Sequence, residues 1–181
     1  MTNLTILRTR LRVDLAEPTA DRWADADLDR HIQHSVRDIN RVAPQELTDT
    51  SLAIPDPASR ELDISSIAGL ITVTAVEYPV GSYHRRLRHF ELWGSTLTLL
   101  TDEMPVAADP VTIQYTAQHI VDSEGSTLPG HLEDVALTGA AGYALLDYLA
   151  YTENRVTIGD RASEHLRAHA NDLLMQFRQD L

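Results

Sequence analysis

The 181-residue chain has no cysteine, which excludes disulfides, thiolate-held metals and cysteine nucleophiles together. It has no lysine either, because all 15 basic residues are arginine. That second absence removes the lysine of a phosphate-binding P-loop, Schiff-base chemistry and the Ser-x-x-Lys nucleophile. No apolar run approaches the roughly 18 residues that a membrane-crossing helix needs. The N-terminal stretch alternates arginine with leucine instead of forming a signal-peptide core. A soluble chain made in the cytoplasm is the expectation. Gly-x-Ser-x-Gly elbows and glycine-rich phosphate cradles are also missing.

What is present in excess is negative charge: 27 acidic residues set the formal net charge at -12. A strongly acidic chain is poorly suited to nonspecific nucleic-acid binding, which relies on neutralising phosphates. An acidic surface suits a conduit past which DNA slides, and it suits any acidic soluble protein equally.

The organising stretch is His131–Tyr151. Its apolar residues recur at helical spacing, and the opposite side is hardly more polar, which predicts a helix buried on most sides. Gly139 and Gly142 in its middle each cost about 1 kcal/mol against alanine, so another helix is expected to approach closely there. Leu4, Leu7, Leu11 and Leu15 stripe a first helix that stops at Glu17-Pro18. A second begins at Asp25 as N-cap, carries Leu28, Ile32, Val36 and Ile39, and ends before Pro44. After a turn at Asn154–Gly159, a last helix starts at Asp160 or Arg161 and is striped by Ala162, Leu166, Ala170, Leu173 and Phe177.

From Leu47 the period changes, and prolines and glycines punctuate short β-branched runs that predict five or six antiparallel strands. Phe90–Leu100 reads as a hairpin turning at Gly94-Ser95. The fold class expected is α+β: a four-helix bundle built from N- and C-terminal helix pairs with a central antiparallel β insertion. Residues 1–46 and 129–181 would form the bundle and 47–128 the β-rich insertion.

Candidate chemistry is sparse. Asp25, Asp27 and Asp29 match the first positions of a calcium loop, but Arg30 stands where glycine is required and Val36 where the bidentate glutamate belongs. Helix capping and a solvated first turn account for them better. His31 and His34, and His165 and His169, are spaced to share a helix face, yet neither pair has an identifiable third ligand, which favours surface or partly buried histidines over a metal. No catalytic, cofactor-binding or metal residue can be named, and no enzyme activity is expected. Tyr83–His89 is the one concentrated basic patch; Arg85, Arg86 and Arg88 suit an acidic partner surface, or a solvated hairpin, better than a phosphate backbone.

The order of elements, with Trp-x-Asp-x-x-Leu at Trp23, Asp25 and Leu28 and the small-residue helix around Gly139–Gly142, resembles the head-to-tail connector (adaptor) proteins of tailed bacteriophages over nearly the full chain. The resemblance implies a structural virion protein without catalytic residues or obligatory cofactor, placed at the head-tail interface. It implies a ring of identical copies, usually twelvefold, that docks on the portal and extends the DNA channel towards the tail. Partners would be the chain itself, the portal and a tail-completion or stopper protein, with DNA passing unbound and no membrane involved. In such connectors the C-terminal segment docks on the portal, which would give Phe177, Arg178 and Leu181 a partner role. Two other readings stand beside it: a small acidic binding or regulatory protein, and a hydrolase with an unrecognised site.

Overall fold

The computed structural model describes residues 2–17, 19–153 and 160–181. The stop expected at Pro18 and the turn expected at Asn154–Gly159 lie outside the described residues, as do the side chains of Arg161 and Ala162. The described chain forms two compact units, Met1–Ala43 with His119–Leu181, and Pro44–Gln118.

In the first unit, α1 (Leu4–Asp14) begins at Asn3, whose side chain accepts the Ile6 N–H at 3.0 Å and satisfies one of the helix's unpaired donors. Its leucine stripe is inside, with Leu7 and Leu11 wholly buried. α2 (Asp25–Val42) buries Leu28, Ile32, Val36 and Ile39. Ala24, and not Asp25, holds its N-cap position. The Asp25 carboxylate turns instead to the Arg12 guanidinium at 2.7 Å, because a charge-assisted bond to a largely buried arginine is stronger than a bond to the helix's own amides.

The helix α3 (Gly130–Glu153) is the hub on which α1, α2 and α4 (Asp160–Asp180) pack. A Cβ added at Gly139 would sit 2.8 Å from the Phe177 ring of α4 and 2.9 Å from Ser35 Oγ of α2. One added at Gly142 would meet Leu174 at 2.7 Å. These are the close approaches that the two glycines predict, and they explain why residues unfavourable to a helix stand there.

The expected four-helix bundle with a central β insertion is not what forms. Among the described residues the fold is a sheet-rich α+β arrangement in which four helices accompany a six-stranded, curled antiparallel half-barrel. The reason lies in α3. A bundle of two helix pairs needs four comparable helices, each turning one stripe to a shared axis. Here α3 is apolar nearly all round and draws its neighbours around itself, while α1 is only 11 residues long.

The second unit holds the sheet, with strands β1 (Gln45–Ala53), β2 (Glu61–Asp63), β3 (Leu70–Glu77), β4 (Leu87–Trp93), β5 (Thr96–Leu100) and β6 (Pro110–Ala117) in the spatial order β1-β6-β3-β4-β5-β2. Its core is aliphatic, and Val76, Leu97, Leu99, Val111 and Ile113 are wholly buried. The β4–β5 hairpin pairs Trp93 with Thr96, Leu92 with Leu97 and Phe90 with Leu99. Gly94 turns it at φ +59°, a left-handed conformation that costs glycine little. β1 is an edge strand paired only to β6, with its register shifting between Asp49 and Leu52. Such irregularity blunts an edge that would otherwise recruit another strand.

Candidate interaction surfaces

The motif residues Trp23, Asp25 and Leu28 meet at one joint of the helical unit. Trp23 is buried, donates its indole N–H to the Ala144 carbonyl of α3 at 3.3 Å, and packs against Tyr148 with ring centroids 5.4 Å apart. Arg12 lies beneath it, donating to the Trp23 carbonyl at 3.0 Å and reaching Glu17 at 3.3 Å. The buried Glu17 carboxylate accepts the backbone N–H groups of Arg22 and Trp23. Chain, tryptophan and α2 are thus fastened by one arginine and one glutamate whose charges satisfy each other.

The same joint gives the aspartates of the calcium-like spacing other partners. Asp25 pairs with Arg8 and Arg12, and Asp29 pairs with Arg8 at 3.1 Å, so guanidinium groups already stand where a cation would. Hydrogen bonding from Arg12 holds the Asp25 carboxyl below the usual carboxylate range, while burial pushes Asp29 up. Among the described residues no group of three or more histidine, aspartate or glutamate side chains is arranged to hold a metal. His165 and His169 are exposed on α4. His31 is buried with Nε2 3.5 Å from Asp147 Oδ2. Burial, followed by the neighbouring Arg30, pushes its pKa down. His34 stacks on Tyr143 at 4.1 Å, and the Tyr143 hydroxyl donates to Asp38 at 2.6 Å. Burial and that hydrogen bond to Asp38 push the tyrosine up to about 12.

The basic patch from the sequence lies on the β3–β4 connection and the start of β4. Arg85 and Arg86 are exposed, and Arg85 Nε stands 3.7 Å from Glu77. Arg88 is half-buried, and its Nε donates to the Tyr78 carbonyl at 2.8 Å. These arginines do not act alike: Arg88 ties the strand ends together, while Arg85 and Arg86 present charge to solvent. At the end of α4, Phe177 is 2% exposed and seated against Gly139, so its ring is occupied within its own chain. Arg178 is exposed and Leu181 half-buried.

No protein-family model matches the chain, and no curated protein does. Solved structures do. A chain in the neck of an empty gene transfer agent (GTA) particle, computed with C6 symmetry, is similar at 18% identity, with 77% of this chain and 76% of that one covered and a TM-score of 0.34. One in the neck of a native GTA particle, computed with C12 symmetry, is 17% identical with 77% of each chain covered and a TM-score of 0.32. A chain of the native GTA virion is 21% identical, with 77% of this chain and 76% of that one covered and a TM-score of 0.32. The matched chains are neck and virion components.

A further basic surface lies on α2. Arg30, His34, Arg37 and Arg41 fall four, three and four residues apart, a single stripe along α2. The signal was present in the spacing, but the amphipathic pattern of α2 draws attention to its apolar face.

Proposed function

We propose that the chain is a structural virion protein, the subunit of a head-to-tail connector ring that docks on a portal and extends the DNA channel towards the tail. The reading is supported by where the residues carrying the connector resemblance lie. Trp23, Asp25 and Leu28 fasten α2 to α1 and α3, and Gly139–Gly142 admit α2 and α4 onto the same helix. Both motifs are architectural and converge on α3, as befits a protein whose work is to hold a shape. The twelvefold ring, the portal and the stopper protein are carried by that resemblance. An acidic ring lining would repel phosphates and let DNA slide, consistent with the net charge of -12.

Two surfaces are the proposed contacts. Arg85 and Arg86, with Arg88 bracing the strand beneath them, offer charge to an acidic partner surface. Arg178 and Leu181 offer the accessible end of α4 to the portal, with Phe177 anchoring that end. Negative-stain imaging and native mass measurement of the protein, alone and mixed with the portal of the same particle, test the proposal. Rings, or a stoichiometric portal complex, are expected. A chain that neither forms rings nor binds a portal or tail component overturns it.

A further inference from the structure

The helical unit carries a basic groove on an otherwise acidic chain. Two cavities of about 400 and 420 Å³ share the stacked rings of His34 and Tyr143. The first also has Arg30 and Arg37 on its wall, and the second Arg41 and Arg178. Four arginines therefore face two carboxylates, Asp38 and Asp147, within a chain of net charge -12. The carboxylates are already committed: Asp147 to Arg30 at 2.8 Å, and Asp38 to Arg41 at 2.7 Å and to the Tyr143 hydroxyl. Arg37 is exposed, and its one side-chain hydrogen bond among the described residues goes to the Gln33 carbonyl at 3.3 Å. Arg178 has no carboxylate partner among the described residues. Val42, 61% exposed, adds an apolar rim.

We infer that the α2 wall of this groove, Arg30, Arg37 and Arg41, is the basic half of the contact between neighbouring copies and receives an acidic face of a second copy of this chain, while Arg178 at its far edge stays with the end of α4. The argument is charge complementarity. A ring contact is heterologous and needs two different, matching patches on one subunit. With a net charge of -12 on the chain, acidic surface is abundant outside the groove and the Arg85–Arg86 patch, so a second copy can supply the matching face. A duplex would also supply negative charge. The acidic remainder of the chain repels the phosphates of a duplex, which extends past the groove, wherever they come within a Debye length of about 8 Å, while a protein face can match the groove residue by residue. This inference rests on the ring reading and gives it a surface.

The test compares the full-length protein with Arg37→Glu/Arg41→Glu, using analytical ultracentrifugation at low ionic strength and at physiological salt, with and without the portal of the same particle. Both side chains are solvent-facing, so the variant should keep the wild-type circular dichroism and melting temperature. Wild-type self-association is expected to weaken as salt rises. The variant should associate about tenfold or more weakly at low salt, and Arg37→Lys should retain most of the wild-type association. Three results overturn the inference: a folded variant that assembles like wild type, wild-type assembly that ignores salt, or a groove substitution that abolishes duplex binding and spares self-association. In the first of these the ring reading survives. If the wild type forms no ring and binds no portal, the ring reading fails and takes the groove with it. Should the double variant be unfolded, the single exposed substitution Arg37→Glu is judged by the same criteria.

Discussion

Arg12 and Arg85 are the same side chain put to opposite uses. Arg12 sits in the joint between α1 and α2, 9% exposed, holding Glu17, Asp25 and the Trp23 carbonyl at once. Arg85 stands on the β3–β4 connection in solvent, with a single carboxylate 3.7 Å away. A buried ion pair does not by itself add much stability, because desolvation offsets the attraction. Removing one member is different, since the survivor is left buried and unpaired. An exposed pair contributes about 0–1 kcal/mol and is screened by salt. Charge inside the helical unit therefore specifies how the chain folds, and charge on the β3–β4 connection is free to specify what it meets.

The largest expected effect breaks the buried side of that contrast. Arg12→Ala should destabilise the protein by about 3–5 kcal/mol in urea unfolding, because Glu17 keeps its burial and loses its counter-charge. Next comes Gly139→Leu. The new side chain meets Phe177 and Ser35, and overpacking should cost about 2 kcal/mol net of the helix propensity gained. Both partners belong to the same chain, so the loss should show in the melting temperature of the unassembled protein; a folded chain that merely fails to assemble would place this site between subunits instead.

A pH dependence follows from His31, which faces Asp147 and Arg30, with Asp27 close by. Its folded pKa lies below the ordinary 6.5, so the unfolded chain binds the proton more readily. The stability this contributes is fully present above 6.5 and is lost as pH falls through the folded value. Urea midpoints measured on either side of that window should rise with pH, and His31→Gln should flatten the slope. Asp25 behaves comparably at lower pH: its depressed pKa means that stability is lost as pH falls below 3.8 through its folded value.

The smallest effect on stability sharpens the exposed side. Replacing Arg85 and Arg86 with serine should change the unfolding free energy by no more than about 0.5 kcal/mol, yet weaken binding to an acidic partner surface as measured by sedimentation. Adding Arg88→Ser should bring a further stability loss of about 1 kcal/mol, because its bond to the Tyr78 carbonyl goes too. If all three substitutions leave stability and assembly unchanged, the patch is merely solvated.

The parts legible beforehand are those whose reason is local. The apolar surface of α3 and its two glycines announce a crowded helix, and the run Phe90–Leu100 states its own turn and cross-strand pairs. β1 is hard to read from sequence because Gln45–Ala53 is a polar edge, with only Leu47, Leu52 and Ala53 apolar and no wholly buried position. The bundle expectation fails because the stripe of each helix names an apolar face without naming the face it meets. The Arg12 joint was illegible for a similar reason: it assembles residues on both sides of a connection whose path periodicity does not describe. The arginine stripe of α2 needed only spacing, but its proximity to Arg178 needed the packing of α4 on α3.

The chain has only two tryptophans, and they divide between the two units. Trp23 is 4% exposed in the helical unit, and Trp93, at the tip of the β4–β5 hairpin, is 88% exposed. An indole sealed among helices emits towards the blue and is shielded from a dissolved quencher, while one standing in water emits towards the red and is quenched. The protein thus carries its own pair of optical probes, one answering to unfolding of the helical unit and the other to anything that covers the hairpin.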